Sequence, residues 1–194
     1  MTQRFQPGHY YHLYNRGVNR GPIFFCQENW AFFIQRMRHY FKPELVQIIA
    51  YALMPTHYHI LLLTHISKLS EMVMQPFATS YVKAVNRQQN RVGPLFQGPF
   101  RSKLVDNDEY LSHLTRYIHL NPVVADHVKS PSEWPYSSYR DYIGLRNGTL
   151  AHSDIVLRRF PAPSDYQAFV EQHSAKQNAA FEHWLSDTLK QEMR

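Results

Sequence analysis

The sequence predicts an α+β fold, an antiparallel sheet in the order strand–helix–strand–strand–helix–strand with its helices on one face. Three observations carry that expectation. Two apolar, β-branched runs, residues 45–53 and 57–63, are joined only by Met54-Pro55-Thr56, a link short enough to make them an antiparallel hairpin. Segments with apolar residues at helical spacing, 27–41 and 67–90, lie on either side of that hairpin. An aromatic strand before the first segment and a basic strand after the second complete a ferredoxin-like βαββαβ pattern.

The first strand, residues 9–15, runs into a turn at Arg16-Gly17. Trp30, Phe33, Ile34, Met37 and Phe41 then form the apolar stripe of a helix that Pro43 ends. In the second helix Ser67 is the expected N-cap, Glu71 sits in an early turn, and Pro76 predicts a kink or break. Residues 93–98 form a loop, and the strand at 100–105 carries Arg101 and Lys103 on one face. A third helix starts near Asn107 or Asp108 and passes through Tyr110, Leu111, Leu114, Tyr117 and Ile118. It is expected to stop around Asn121, because proline at 122 disfavours helix at the residue before it. From Ser130 to Tyr139 the texture is loop-like and rich in Pro, Ser, Trp and Tyr. After Arg146-Asn147-Gly148 comes a C-terminal extension ending in a helix with Phe181, Trp184, Leu185, Thr188 and Leu189 on one side. The expected division is therefore a domain at 1–147 and a helical extension at 148–194.

A chain of 194 residues with 44% hydrophobic and 14% aromatic residues can bury an ordinary core, which excludes general disorder. Its formal charge of +6 suits a polyanionic partner, nucleic acid first, and fits a mildly basic cytosolic protein equally well. Cys26 is the only cysteine, so an intrachain disulfide and a multi-cysteine zinc site are both excluded. Residues 1–8 are polar, and the apolar runs at 46–54 and 60–63 are too short to span a bilayer, so the chain reads as soluble and cytoplasmic.

His57-Tyr58-His59 is the stretch that points to chemistry. In a strand the two imidazoles share one face while Tyr58 turns to the other, a natural start for a divalent-metal site. Tyr117 and Asn121 are one helical turn apart on one face. If those two faces meet, two imidazoles and an amide oxygen could hold Mg²⁺ or Mn²⁺ while the tyrosine hydroxyl attacks a phosphate. Each part has a plain alternative. A His-x-His pair on an apolar strand can be structural, Tyr117 is one of 13 tyrosines, and Asn121-Pro122 is an ordinary helix stop. His119, two residues beyond Tyr117, is expected to point elsewhere on the helix.

Further segments accompany these in order: Tyr14-Asn15-Arg16-Gly17, Gly93-Pro94-Leu95-Phe96-Gln97, Tyr117-Ile118-His119-Leu120-Asn121-Pro122-Val123 and Trp134-Pro135-Tyr136-Ser137-Ser138-Tyr139. Taken with His57-Tyr58-His59 over roughly residues 9–142, the set resembles the single-tyrosine HUH transposase superfamily, specifically the REP-associated tyrosine transposases of bacteria. The resemblance implies single-strand DNA cleavage and rejoining at hairpins formed by repetitive extragenic palindromes. It makes Tyr117 the nucleophile of a 5′-phosphotyrosine link, and His57, His59 and Asn121 the metal ligands. Relatives often carry Gln where this chain has Asn121 and an aliphatic residue where it has Tyr58. No nucleotide cofactor is implied. The REP-associated branch implies a monomer, whereas related insertion-sequence transposases are dimers that share active sites.

For the DNA itself, Arg16, Arg20, Arg87, Arg91, Arg101 and Lys103 are candidate phosphate contacts, each of which could equally be a solvated surface charge. Phe96, Trp134, Tyr136 and Tyr139 are candidate stacking platforms for unpaired bases, although Trp134 could instead anchor its loop to the core. Two other functions stay open: a hairpin-binding protein that does not cut, and a metallohydrolase using His57, His59 and an activated water on a small substrate.

Overall fold

Alternation along the first strand decides which side chains meet the helices. The computed structural model describes residues 4–172. Its elements run β1 His9–Arg16, α1 Gln27–Tyr40, β2 Val46–Met54, β3 His57–Thr64, α2 Gln75–Gln88, β4 Arg101–Val105, α3 Asp108–Val124, then the short helices α4 Tyr139–Tyr142, α5 Asp154–Leu157 and α6 Pro163–Glu171. The sheet has the order β2-β3-β1-β4, that of a ferredoxin-like fold. β1 is antiparallel to both neighbours, with Leu13 opposite Ile60, Tyr14 opposite His59, and His12 opposite Lys103. One face therefore carries Tyr11, Leu13, Tyr58 and Ile60, and the other His12, Tyr14, His57, His59, Arg101 and Lys103. Among the described residues no helix is long and apolar enough to cross a membrane.

The described backbone divides into two compact units, one reaching through Ile49 and including Leu53–Asp106, the other Ala50–Ala52 with the described residues from Asn107. In the first unit α1 and α2 cover the Tyr58 face. Phe33 of α1 is fully buried, edge-on to Phe77 and Tyr81 of α2 at 4.9 and 4.8 Å and tilted against Tyr58 at 5.4 Å. The Tyr81 hydroxyl, buried with these rings, donates to the Ile23 carbonyl at 2.6 Å, so the aromatic core carries no polar penalty there. α1 is held at its start by Asn29, whose Oδ1 accepts the Phe25 N–H at 2.9 Å. It ends as expected just before Pro43.

Two expectations about prolines need correction. The break in the second helical segment precedes Pro76. Ser70–Met74 forms a wide π turn, and Pro76 lies in the first turn of α2, where a missing N–H costs little. Ser67 is not its cap; the Ser67 carbonyl instead accepts the Phe5 N–H. α3 continues through Pro122 to Val124. Proline removes only its own donor there, while the carbonyls of Asn121 and Pro122 still accept from Ala125 and His127 at 2.9 Å each.

The second unit is organised around a cluster of buried rings on α3, α4 and α6: His119, Tyr139, Tyr142 and Tyr166. Arg146 ties down the preceding loop. It donates to both oxygens of Asp141 at 2.6 and 2.8 Å, to the carbonyls of Pro135 and Ser137, and to the Tyr51 hydroxyl. Within the 130–139 segment, Pro131–Glu133 forms a single 3₁₀ turn with Ser130 and Glu133 as a reciprocal capping box. The expected terminal helix bearing Phe181, Trp184, Leu185, Thr188 and Leu189 lies outside the described residues.

Candidate functional site

β3 puts His57 and His59 on the sheet face away from α1 and α2, with ring centroids 5.2 Å apart and planes at 85°. Each ring has a partner at Nδ1. His57 Nδ1 lies 3.1 Å from Thr56 Oγ1, and His59 Nδ1 lies 2.9 Å from Nε2 of His12 on β1. These two bonds leave Nε2 as the nitrogen on each ring that they do not use. Burial, above all, holds the His59 pKa well below the ordinary histidine value, with His12 and His57 adding to the effect. His12 is lowered to about 3, by burial first and then by the charge of Lys103. Both rings are therefore neutral at physiological pH, the form that ligates a metal.

A pair of imidazoles suits a divalent cation, and among the described residues no group of three His, Cys, Asp or Glu side chains could hold one. A cation on His57 and His59 would thus need oxygen ligands of another kind, which an asparagine amide, phosphate oxygens or water can supply. His12 was not anticipated from the sequence. Its signal is the alternation His12-Leu13-Tyr14, which has meaning only once β1 is paired with β3 in register.

The same face carries part of the expected DNA-contacting set. Arg16 is opposite His57 and Arg101 is opposite Tyr14, and both are exposed. The Arg16 Nε–H donates to Gln97 Oε1, the Gln97 N–H returns to the Arg16 carbonyl at 2.9 Å, and Asn15 Nδ2 reaches the Gly98 carbonyl at 3.0 Å. The 93–98 loop is therefore laced to the end of β1. Arg20 and Arg87 are exposed, and Arg91 is half-buried over the Phe25 ring at 5.5 Å. Two expectations of this set are corrected. Lys103 is buried beside His12 rather than displayed at the surface, and Phe96 is buried edge-on to Tyr58 at 5.9 Å, on the helix side of the sheet.

In the second unit Tyr117 and Asn121 are both buried on α3, one turn apart. Asn121 Nδ2 donates to the Tyr117 carbonyl at 3.1 Å, an arrangement that keeps its Oδ1 out of that bond. His119 points away from this pair, as expected: its Nδ1 meets the Tyr166 hydroxyl and its Nε2 meets Ser138 Oγ, each at 2.7 Å. Its pKa is lowered to about 3, by burial first and then by Arg146, so it is a neutral structural group. Trp134 stacks on His127 at 5.5 Å and meets Tyr136 edge-on at 5.7 Å, both partly exposed. Tyr139 is fully buried with its hydroxyl on Glu171 Oε1 at 2.9 Å, which corrects its assignment as a base platform.

No protein-family model matches the chain, and no curated protein does. Among solved structures it is similar to a REP-associated tyrosine transposase bound to a REP hairpin, at 17% sequence identity and a TM-score of 0.57, over 74% of this chain and 84% of that one. That likeness shows a shared fold.

Proposed function

We propose that the protein is a metal-dependent single-stranded DNA endonuclease and strand transferase, transposase-like, that cleaves at palindromic hairpin DNA. The observation that carries this reading is the paired setting of His57 and His59, both engaged at Nδ1 and both on the face that bears Arg16 and Arg101. The shared fold with a hairpin-bound tyrosine transposase supports the same substrate class. His57, His59 and the Asn121 amide oxygen would hold Mg²⁺ or Mn²⁺. Bound there, the cation supplies Lewis acidity that offsets charge developing on the phosphate.

Tyr117 is the nucleophile. Its hydroxyl oxygen attacks phosphorus and loses its proton, a P–OTyr bond forms, and the P–O3′ bond breaks. The departing oxygen takes up a proton as a 3′-hydroxyl, and the 5′-phosphate stays on the tyrosine. A phenol with a reference pKa near ~10 is a weak nucleophile at neutral pH, so it depends on a polarised target. Attack by a 3′-hydroxyl reverses the step with no bond energy lost, so rejoining needs no nucleotide. Arg16, Arg20, Arg87 and Arg101 contact phosphates, and Trp134 and Tyr136 stack on unpaired bases. The activity belongs to residues 1–147, in a monomer, with 148–194 as an extension.

Cleavage of hairpins with single-stranded flanks, drawn from repeated palindromes of the source genome, tests the proposal. Wild type should cut only with Mg²⁺ or Mn²⁺, and Tyr117→Phe should bind the hairpin without cutting it. Cutting by Tyr117→Phe removes that residue from the mechanism. Tight binding by wild type with no cutting under any metal assigns a non-cleaving hairpin-binding role instead.

A further inference from the structure

We propose that His12 is a positioning residue for the histidine pair, holding His59 in the tautomer that presents Nε2 to a divalent cation. This rests on the metal-dependent reading and extends it to a third histidine, outside the His57-Tyr58-His59 motif and on a different strand.

The geometry leaves two arrangements. His12 Nε2 and His59 Nδ1 are 2.9 Å apart, so between neutral rings one nitrogen donates and the other accepts. If His12 donates, the His59 proton sits on Nε2, and that nitrogen has no lone pair for a metal. If His59 donates from Nδ1, its Nε2 lone pair is the one presented. The second arrangement is the only one in which His59 ligates through Nε2, and it requires His12 to accept at Nε2 and to carry its own proton on the buried Nδ1. Thr56 Oγ1 stands in the equivalent place for His57 at 3.1 Å.

The support is rigid. His12 lies on β1 opposite Leu61, a diagonal neighbour of His59 across the pair. The two rings are nearly parallel, 19° apart with centroids at 5.1 Å, and Tyr14 lies against both at 5.2 and 6.0 Å. Both histidines are buried, so neither ring can turn without displacing its neighbours. Partners of this kind orient a ligating imidazole and raise its basicity, and losing one typically costs about 10–100-fold in metal affinity.

The test uses the full-length protein and Mn²⁺ alone, titrated by electron paramagnetic resonance into wild type, His12→Leu, His12→Gln and His59→Ala. Nitrogen-15 NMR of the metal-free wild type reads the His59 tautomer. His59→Ala should lose binding, and His12→Leu should weaken it by about 10–100-fold. His12→Gln, whose amide oxygen can accept from His59 Nδ1–H, should stay close to wild type. The NMR spectrum should place the His59 proton on Nδ1. Undiminished Mn²⁺ binding by His12→Leu, an equal loss in His12→Gln, or a proton on His59 Nε2 each overturns the positioning role while the metal reading stands. A wild type that binds no Mn²⁺, or a His59→Ala that binds it undiminished, overturns both. If His12→Leu does not fold, the wild-type tautomer decides alone.

Discussion

His119→Phe tests the role of the buried histidine of α3 as a structural group. Phenylalanine keeps the ring contacts with Tyr142 and Tyr166 but removes both hydrogen bonds. Ser138 Oγ retains the Tyr51 N–H at 2.9 Å, so it is not orphaned. The buried Tyr166 hydroxyl loses its His119 partner but keeps its hydrogen bond with Thr115, so the cost is that of one lost hydrogen bond, roughly 1 kcal/mol. The variant should therefore be about 1 kcal/mol less stable at pH 7.5, lowering Tm by about 2–4 °C for a chain of this size. The pH dependence then runs the other way. His119 titrates at about 3 when folded against 6.5 for an ordinary histidine. Below pH 6.5 the unfolded chain takes up a proton that the folded one does not, so the native protein loses about 1.4 kcal/mol per pH unit from this group. By pH 5 that amounts to about 2 kcal/mol, which the variant does not lose. His12 and His59 act equally in both proteins and cancel. Urea denaturation at pH 7.5, 6 and 5 should show the gap between the two proteins closing near pH 6 and reversing by pH 5. Parallel stability curves would refute a buried neutral His119.

Gly17→Ala should destabilise by about 2 kcal/mol in the same assay, because a Cβ there would fall on the backbone carbonyl of Gly21 and force the tight turn after β1 apart. Unchanged stability would mean that the turn relaxes freely. Under the DNA-binding reading, Arg16→Ala and Arg101→Ala should each flatten the log–log salt dependence of single-strand affinity by about 0.7, measured by fluorescence anisotropy, and unchanged slopes would move both side chains off the phosphates. Tyr139→Phe should leave hairpin affinity unchanged while lowering stability through loss of the Glu171 bond, since its ring is fully buried. A weaker complex at equal folding would restore it as a base contact.

Much of the first unit was legible because periodicity reports local geometry. The hairpin of β2 and β3 follows from two apolar runs and a short link, and α1 from a clear stripe between Cys26 and Pro43. What periodicity leaves out is register. The partnership of His12 with His59 joins residues 47 apart in the chain, and it depends on which residue of β1 faces which residue of β3. The proline expectations failed for a different reason. A proline costs only its own donor, so near the start of α2 or the end of α3 it can be carried without ending the helix. Composition could not sort aromatic residues into buried and exposed sets. Phe96 and Tyr139 sit among the same residue types as Trp134 and Tyr136, and only packing shows that the first two are buried. Lys103 misleads in the same way. Its place beside Arg101 on one strand face is correct, and its burial comes from neighbours that the local sequence does not name.

The most direct measurement is a covalent-adduct assay with purified protein, Mn²⁺ and single-stranded hairpin substrate, followed by mass mapping of the linked peptide. The expected product is one protein–DNA species, dependent on metal, attached through a 5′-phosphate at Tyr117 and leaving a 3′-hydroxyl on the other fragment. Cleavage without any linked protein, or a link at another residue, would contradict tyrosine-based strand transfer at Tyr117.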